Sequence, residues 1–72
     1  MKITYDAEVD ALYIEFRDTT VTTKEVDEGI ALDVDAEGRL AGIEILDAMK
    51  RLGGKDVFRH ITLDNIGLAQ PA

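Results

Sequence analysis

Cysteine and serine are both missing from this chain, and histidine occurs once, as His60. Without cysteine there is no disulfide and no thiolate metal site. One histidine excludes a histidine-rich metal centre within a single chain. Losing serine and cysteine together removes the commonest activated nucleophiles. Long apolar runs are missing too, and none approaches the ~20 residues of a membrane helix. Residues 2–6 already read as a strand and a turn rather than as a signal peptide, which points to a cytoplasmic protein. Basic residues are scarce: eight Lys and Arg stand against fifteen Asp and Glu, for a net charge of −7. That balance opposes sequence-independent nucleic-acid binding, which needs cations to neutralise phosphates. It equally opposes an anionic membrane surface. It suits a basic protein partner, and it also keeps a small domain in solution.

What is present is β-patterned. At 72 residues the chain is expected to form one domain over 1–72, with 55–72 as a C-terminal extension. A chain this short buries only about 60% of its unfolded surface, so good packing or oligomerisation must supply stability, and a homodimer is expected. Residues 5–16, YDAEVDALYIEF, organise the rest. An acidic turn leads into a strand with Leu12, Ile14 and Phe16 on one face and Ala11, Tyr13 and Glu15 on the other. Before it, residues 2–5 form a first strand with Ile3 and Tyr5 on one face. Asp6 suits the turn, with Glu8 and Asp10 expected in water. Residues 20–26 are β-rich but polar on both faces, which fits an edge strand and also a position that another chain covers. Ile30, Leu32 and Val34 then point inward, with Ala31, Asp33 and Asp35 outward. Residues 36–39 turn the chain through Gly38. Ile43 and Ile45 face the core on the next strand, where Gly42 marks a bulge or a close backbone approach.

Asp47 looks like the N-cap of a short helix, 48–52, closed by Gly53. Lys50 and Arg51 suit its C-terminal dipole. Met49 and Leu52 can cover one end of the sheet. In the remainder Val57, Phe58 and Ile61 fit a helical turn and Ile61 and Leu63 a strand; it is read as a short final strand near 60–64, with Pro71 and Ala72 fraying. The expected fold is α+β, mostly β: an antiparallel meander of about five strands, neighbours in sequence pairing in space, with one short helix after the last. Its core is Ile3, Tyr5, Leu12, Ile14, Phe16, Val21, Ile30, Leu32, Val34, Ile43, Ile45, Met49 and Leu52. Tyr13 lies on the opposite face, and a homodimer interface is the simplest cover for it.

No catalytic residue, cofactor or metal site emerges. Asp33, Asp35, Gly38 and Glu44 match the spacing of a helix-flanked calcium loop, with Glu37 departing from it. The flanks alternate with a period of two, so the run reads as a hairpin instead. Asp6, Glu8 and Asp10 are too generic for a cation site. His60 reads as a surface residue, and Gly53-Gly54-Lys55 lacks the strand and spacing of a phosphate loop. An enzyme is therefore not expected.

Residues 5–16 followed by EVDEGIALDVDAEGRLAGIEILDA at 25–48 resemble the domain-of-unknown-function family 2283, small bacterial β-rich proteins. The resemblance covers about residues 1–52. The family has no established activity, so it transfers no site residues. Its members are sometimes regarded as antitoxin-like, which would imply a basic toxin as partner. The reading that follows is a non-catalytic protein–protein interaction module, with Tyr13, Glu15, Asp33 and Asp35 as its interaction surface. The alternative is a small-ligand or metal-ion binding domain.

Overall fold

Alternating apolar residues do become strands in the computed structural model, which describes residues 1–65 and 67. The strands are β1 (Lys2–Asp6), β2 (Ala11–Glu15), β3 (Thr22–Asp27), β4 (Ile30–Val34) and β5 (Leu40–Ile45). A short helix, α1 (Ala48–Leu52), and a 3-10 turn at Lys55–Phe58 follow. The five strands form one antiparallel sheet in the order β1-β2-β5-β4-β3. The expected meander-like architecture, with one helix after the last strand, is present. One adjacency differs. β2 pairs with β5 rather than with β3, so residues 16–21 must cross the end of the sheet past two strands. Strands are spaced ~4.8 Å apart, so six residues have ample reach for the crossing. As expected, β3 lies at an edge, exposed along its whole length.

The crossing is tied down where it passes the β4–β5 hairpin. Asp35 Oδ1 accepts the backbone N–H groups of Glu37 (2.9 Å) and Arg39 (2.8 Å), which closes the turn. Its Oδ2 accepts from Arg17 of the crossing (2.7 Å) and from Arg39 Nε (3.2 Å). The backbone N–H groups of Phe16 (2.8 Å) and Arg17 (3.3 Å) both donate to the Ala41 carbonyl. Ala41 is an extra residue in β5 relative to β4: Gly42 pairs with Asp33 and Leu40 with Val34. A second bulge puts Val26 outside the β3–β4 register, which blunts the exposed edge.

The register places Ile3, Tyr5, Leu12, Ile14, Ile43, Ile45, Ile30 and Leu32 on one face, paired across the strands. The expected core list needs correction, however. Only Leu12, Ala41 and Ala48 are buried apolar residues, and no large side chain is fully buried among the described residues. The sheet is one layer, and little of it is covered. Phe58 stacks on Tyr5 with ring centroids 4.6 Å apart, so the segment after β5 shields one end of the apolar face. Met49 and Leu52 are half-buried.

Three further expectations change. Asp47 takes a left-handed backbone (φ 52°) and makes no side-chain cap bond. Asp10, from the β1–β2 turn, caps the helix in its place. Its carbonyl accepts from Ala48 N–H (3.0 Å), and its Oδ1 from Met49 N–H (2.9 Å) and from the Tyr5 hydroxyl (2.7 Å). Asp10 is thus bonded and half-buried rather than solvated. The segment 60–64 is not a strand; it is exposed and unpaired in the sheet. Pro71 and Ala72 lie outside the described residues. Arg51 also serves a specific contact: it donates to the Leu46 carbonyl (3.0 Å) and to the Glu28 carbonyl, pinning the β3–β4 turn to α1. No described helix is long and apolar enough to cross a membrane.

Asp10 is therefore expected to be far more sensitive to truncation than its place in an acidic turn suggests. Asp10→Ala removes the cap and puts a Cβ-bearing residue without a polar side chain at φ 53°. It should cost about 1–2 kcal/mol in urea denaturation. Asp10→Asn keeps an acceptor and tolerates that backbone, so most of the stability should remain.

Candidate functional site

The face opposite the apolar one is polar by the same alternation. Its central residue is Asp33 on β4, which is only 4% exposed. Thr23, its direct neighbour on β3, donates to Oδ1 at 2.6 Å. Tyr13 donates to Oδ2 at 2.9 Å. Tyr13 belongs to β2, with β5 between it and β4, so its ring must lie across β5. Gly42 makes this possible. A Cβ there would sit 2.6 Å from the Tyr13 hydroxyl oxygen and 3.0 Å from ring carbons. Four strands therefore contribute to one arrangement: a hydroxyl from β3, a carboxylate from β4, a gap in β5 and a phenol from β2. A buried carboxylate is costly unless it is hydrogen-bonded. Here two hydroxyls satisfy both oxygens, and neither is a cation.

The bonds shift the acidities in opposite directions. Thr23's hydrogen bond, opposed by burial and assisted by Tyr13, holds Asp33 below the usual carboxylate value. The Asp33 hydrogen bond and then burial push the Tyr13 phenol up to about 12. Glu44, on the same face, is pushed up, first by burial and then by its neighbour Asp33. Of the two carboxyls, Glu44 is the one that takes up a proton first. Tyr5 is also raised, chiefly by its bond to Asp10.

Beside this arrangement lies an open groove of about 330 Å³, lined by Glu25, Glu28, Gly29, Ile30, Ala31, Glu44 and Leu46. Three glutamates rim it, and Ala31, on the same face as Glu25 and Glu44, and Leu46 supply apolar wall. None of its acids was singled out by sequence reasoning except Glu44, and that one as a rejected calcium-loop position. The signal was available in the register: Glu25, Ala31 and Glu44 stand opposite one another on adjacent strands.

The four residues expected to form an interaction surface are distributed unequally. Tyr13 and Asp33 are brought together and bond to each other. Glu15 is on their face, opposite Gly42, and is half-buried. Asp35 is held at the hairpin by Arg17 and Arg39. The Arg17 guanidinium, ahead of the backbone N–H of Arg39, keeps its carboxyl well below the ordinary range. Asp33, expected to point into solvent, is buried under Tyr13. Asp35 and Glu44 do not converge with it on a common point for a cation. No group of three or more His, Cys, Asp or Glu that could hold a metal ion occurs among the described residues. His60 is exposed and follows the 3-10 turn.

A family model described as "Protein of unknown function (DUF2283)" matches residues 2–48. The match spans all five strands and reaches the first residue of α1, and the chain belongs to that family. No curated protein and no solved structure matches it.

Two measurements test the Tyr13–Asp33 arrangement. Tyr13→Phe should cost about 1.5–3 kcal/mol, the usual range for a hydrogen bond to a charged group. Gly42→Ala should also destabilise, but much less once Tyr13 is replaced by Ala, so a double-mutant cycle should show strong coupling. The pH dependence has a definite sign. A phenol whose folded pKa lies above its unfolded value, ~10, stabilises fully below pH ~10 and loses that contribution as pH rises through about 12. Ultraviolet titration should therefore show little tyrosinate at pH 10, where ordinary tyrosine is half ionised. Half-ionisation there would contradict the geometry.

Proposed function

We propose that this family member is a non-catalytic protein interaction module that takes a basic partner at the groove lined by Glu25, Glu28 and Glu44. The observation that carries this reading is the groove itself. It combines three carboxylates with an apolar wall, a fit for the charged end and aliphatic stem of lysine or arginine. The net charge of −7 would steer such a partner into encounter. Masking a basic toxin surface is one form this function would take. The non-catalytic part of the reading is supported by how the polar face is used: Asp33 is occupied by Tyr13 and Thr23. A cytoplasmic setting suits a chain that needs no disulfide. The assembly we propose is a homodimer, which a chain of this length favours.

Calorimetry with an arginine-rich peptide and with a glutamate-rich one is the direct test. Only the basic peptide should bind, and more weakly as salt rises. Glu25→Gln should weaken that binding several-fold more than Glu8→Gln, which removes the same charge from an exposed turn outside the groove. Equal effects of the two substitutions would leave only non-specific attraction and refute the groove as the site.

A further inference from the structure

The apolar face of the sheet is a larger unsolved problem for this molecule than its polar one. Ile3, Ile14, Ile30, Leu32, Ile43 and Ile45 stand in register across β1, β2, β5 and β4, yet none is buried. Ile3 is 45% exposed. Stable domains pack a sheet against a second layer, and among the described residues the cover lies at the Tyr5 end, where Phe58 stacks.

We infer that a second copy of this chain covers the apolar face, the two sheets packing face to face as the halves of one sandwich. This deepens the homodimer part of the proposed function and rests on it. Charge selects the occupant. The strand acids Glu15, Glu25, Asp33 and Glu44 all lie on the opposite face by register. Of the strand residues on the apolar face, the charged ones are Lys24, opposite Leu32, and Asp27, opposite Ile30. Both belong to the edge strand β3, and their signs are opposite. Two chains of charge −7 can therefore meet through these faces with most strand acids turned outward, at the far sides of the sandwich. Facing sheets stack ~10 Å apart with interdigitated side chains. Apolar contact between identical patches satisfies the self-complementarity that a two-fold interface demands. The acidic groove is on the outer side and stays open in each copy.

The test needs no substitution. An equal mixture of isotope-labelled and unlabelled chain, examined by isotope-filtered NOE spectroscopy, reports contacts between copies only. We expect them among the methyl groups of Ile3, Ile14, Leu32 and Ile43. Contacts from the Ala31 methyl or the Tyr13 ring instead would place the dimer on the polar face and overturn the assignment. No contacts between copies, with a monomer in sedimentation at tens of micromolar, would overturn the dimer altogether. Ile3→Lys, at an exposed edge position, should raise the dimer dissociation constant about tenfold or more. It should leave binding of the arginine-rich peptide in place. Loss of peptide binding with the methyl contacts intact would refute the groove proposal and not this one.

Discussion

The reach of Tyr13 across Gly42 to Asp33 is the constraint from which most of the polar face follows. It joins β2 to β4 over an intervening strand, so it holds only in one register of β2 on β5 and of β5 on β4. Slipping any of these pairings by one residue would exchange the faces. Asp33 would then carry its charge onto the apolar side without donors, at a cost of several kcal/mol. Glycine in a strand is ordinarily a weakness. At position 42 it is the condition for the contact, because a Cβ would occupy the space of the phenol. The neighbouring bulge at Ala41 belongs to the same economy. The Ala41 carbonyl accepts from Phe16 and Arg17 where the crossing toward β3 begins.

Aspartates carry much of the remaining structural burden, which is consistent with a chain that has no disulfide to close its loops. Asp10 gathers the end of β1 and the start of α1 onto one carboxylate. Asp35 closes a hairpin and anchors the crossing through Arg17. Asp6 and Asp27 each accept a nearby backbone N–H. The short aspartate side chain keeps its carboxylate near the backbone, where it can substitute for a missing peptide partner. Glutamate reaches further, and the glutamates are the acids that rim the groove. The high acid content therefore divides into two uses, a structural one near the backbone and, in the function proposed above, a recognition one on the surface.

That division marks how far the residues alone could be read. Strand positions, the edge character of β3, the helix over 48–52 and the pattern of inward residues on β2, β4 and β5 were legible, because alternation is a local property. Gly42 was recognisable as a place of close approach, but not what approaches it. The partner of Tyr13 depends on β2 lying beside β5, a pairing between residues thirty apart that no local pattern encodes. A pairing of consecutive strands was the simpler expectation, and it left Tyr13 without an intramolecular partner. The same gap hid Asp10's role, since its hydrogen-bonding partner Met49 is thirty-nine residues away. The supposed strand at 60–64 failed for the converse reason. Its alternation is real, yet the segment pairs with no strand and stays exposed.

The two faces impose different requirements that meet in one molecule. Satisfying Asp33 makes the polar face self-sufficient: the tyrosine expected to need cover from another chain finds its bond within its own. The apolar face has no such internal solution, because five strands and a five-residue helix supply only one layer and one end. Among the described residues that face is left largely open, and the outward placement of the strand acids makes an identical chain an acceptable cover. The dimer inferred above would consume the face without chemistry and leave exposed the face with charge. Under this arrangement recognition of a basic partner and stability are separated by the thickness of a sheet, and each can vary without disturbing the other.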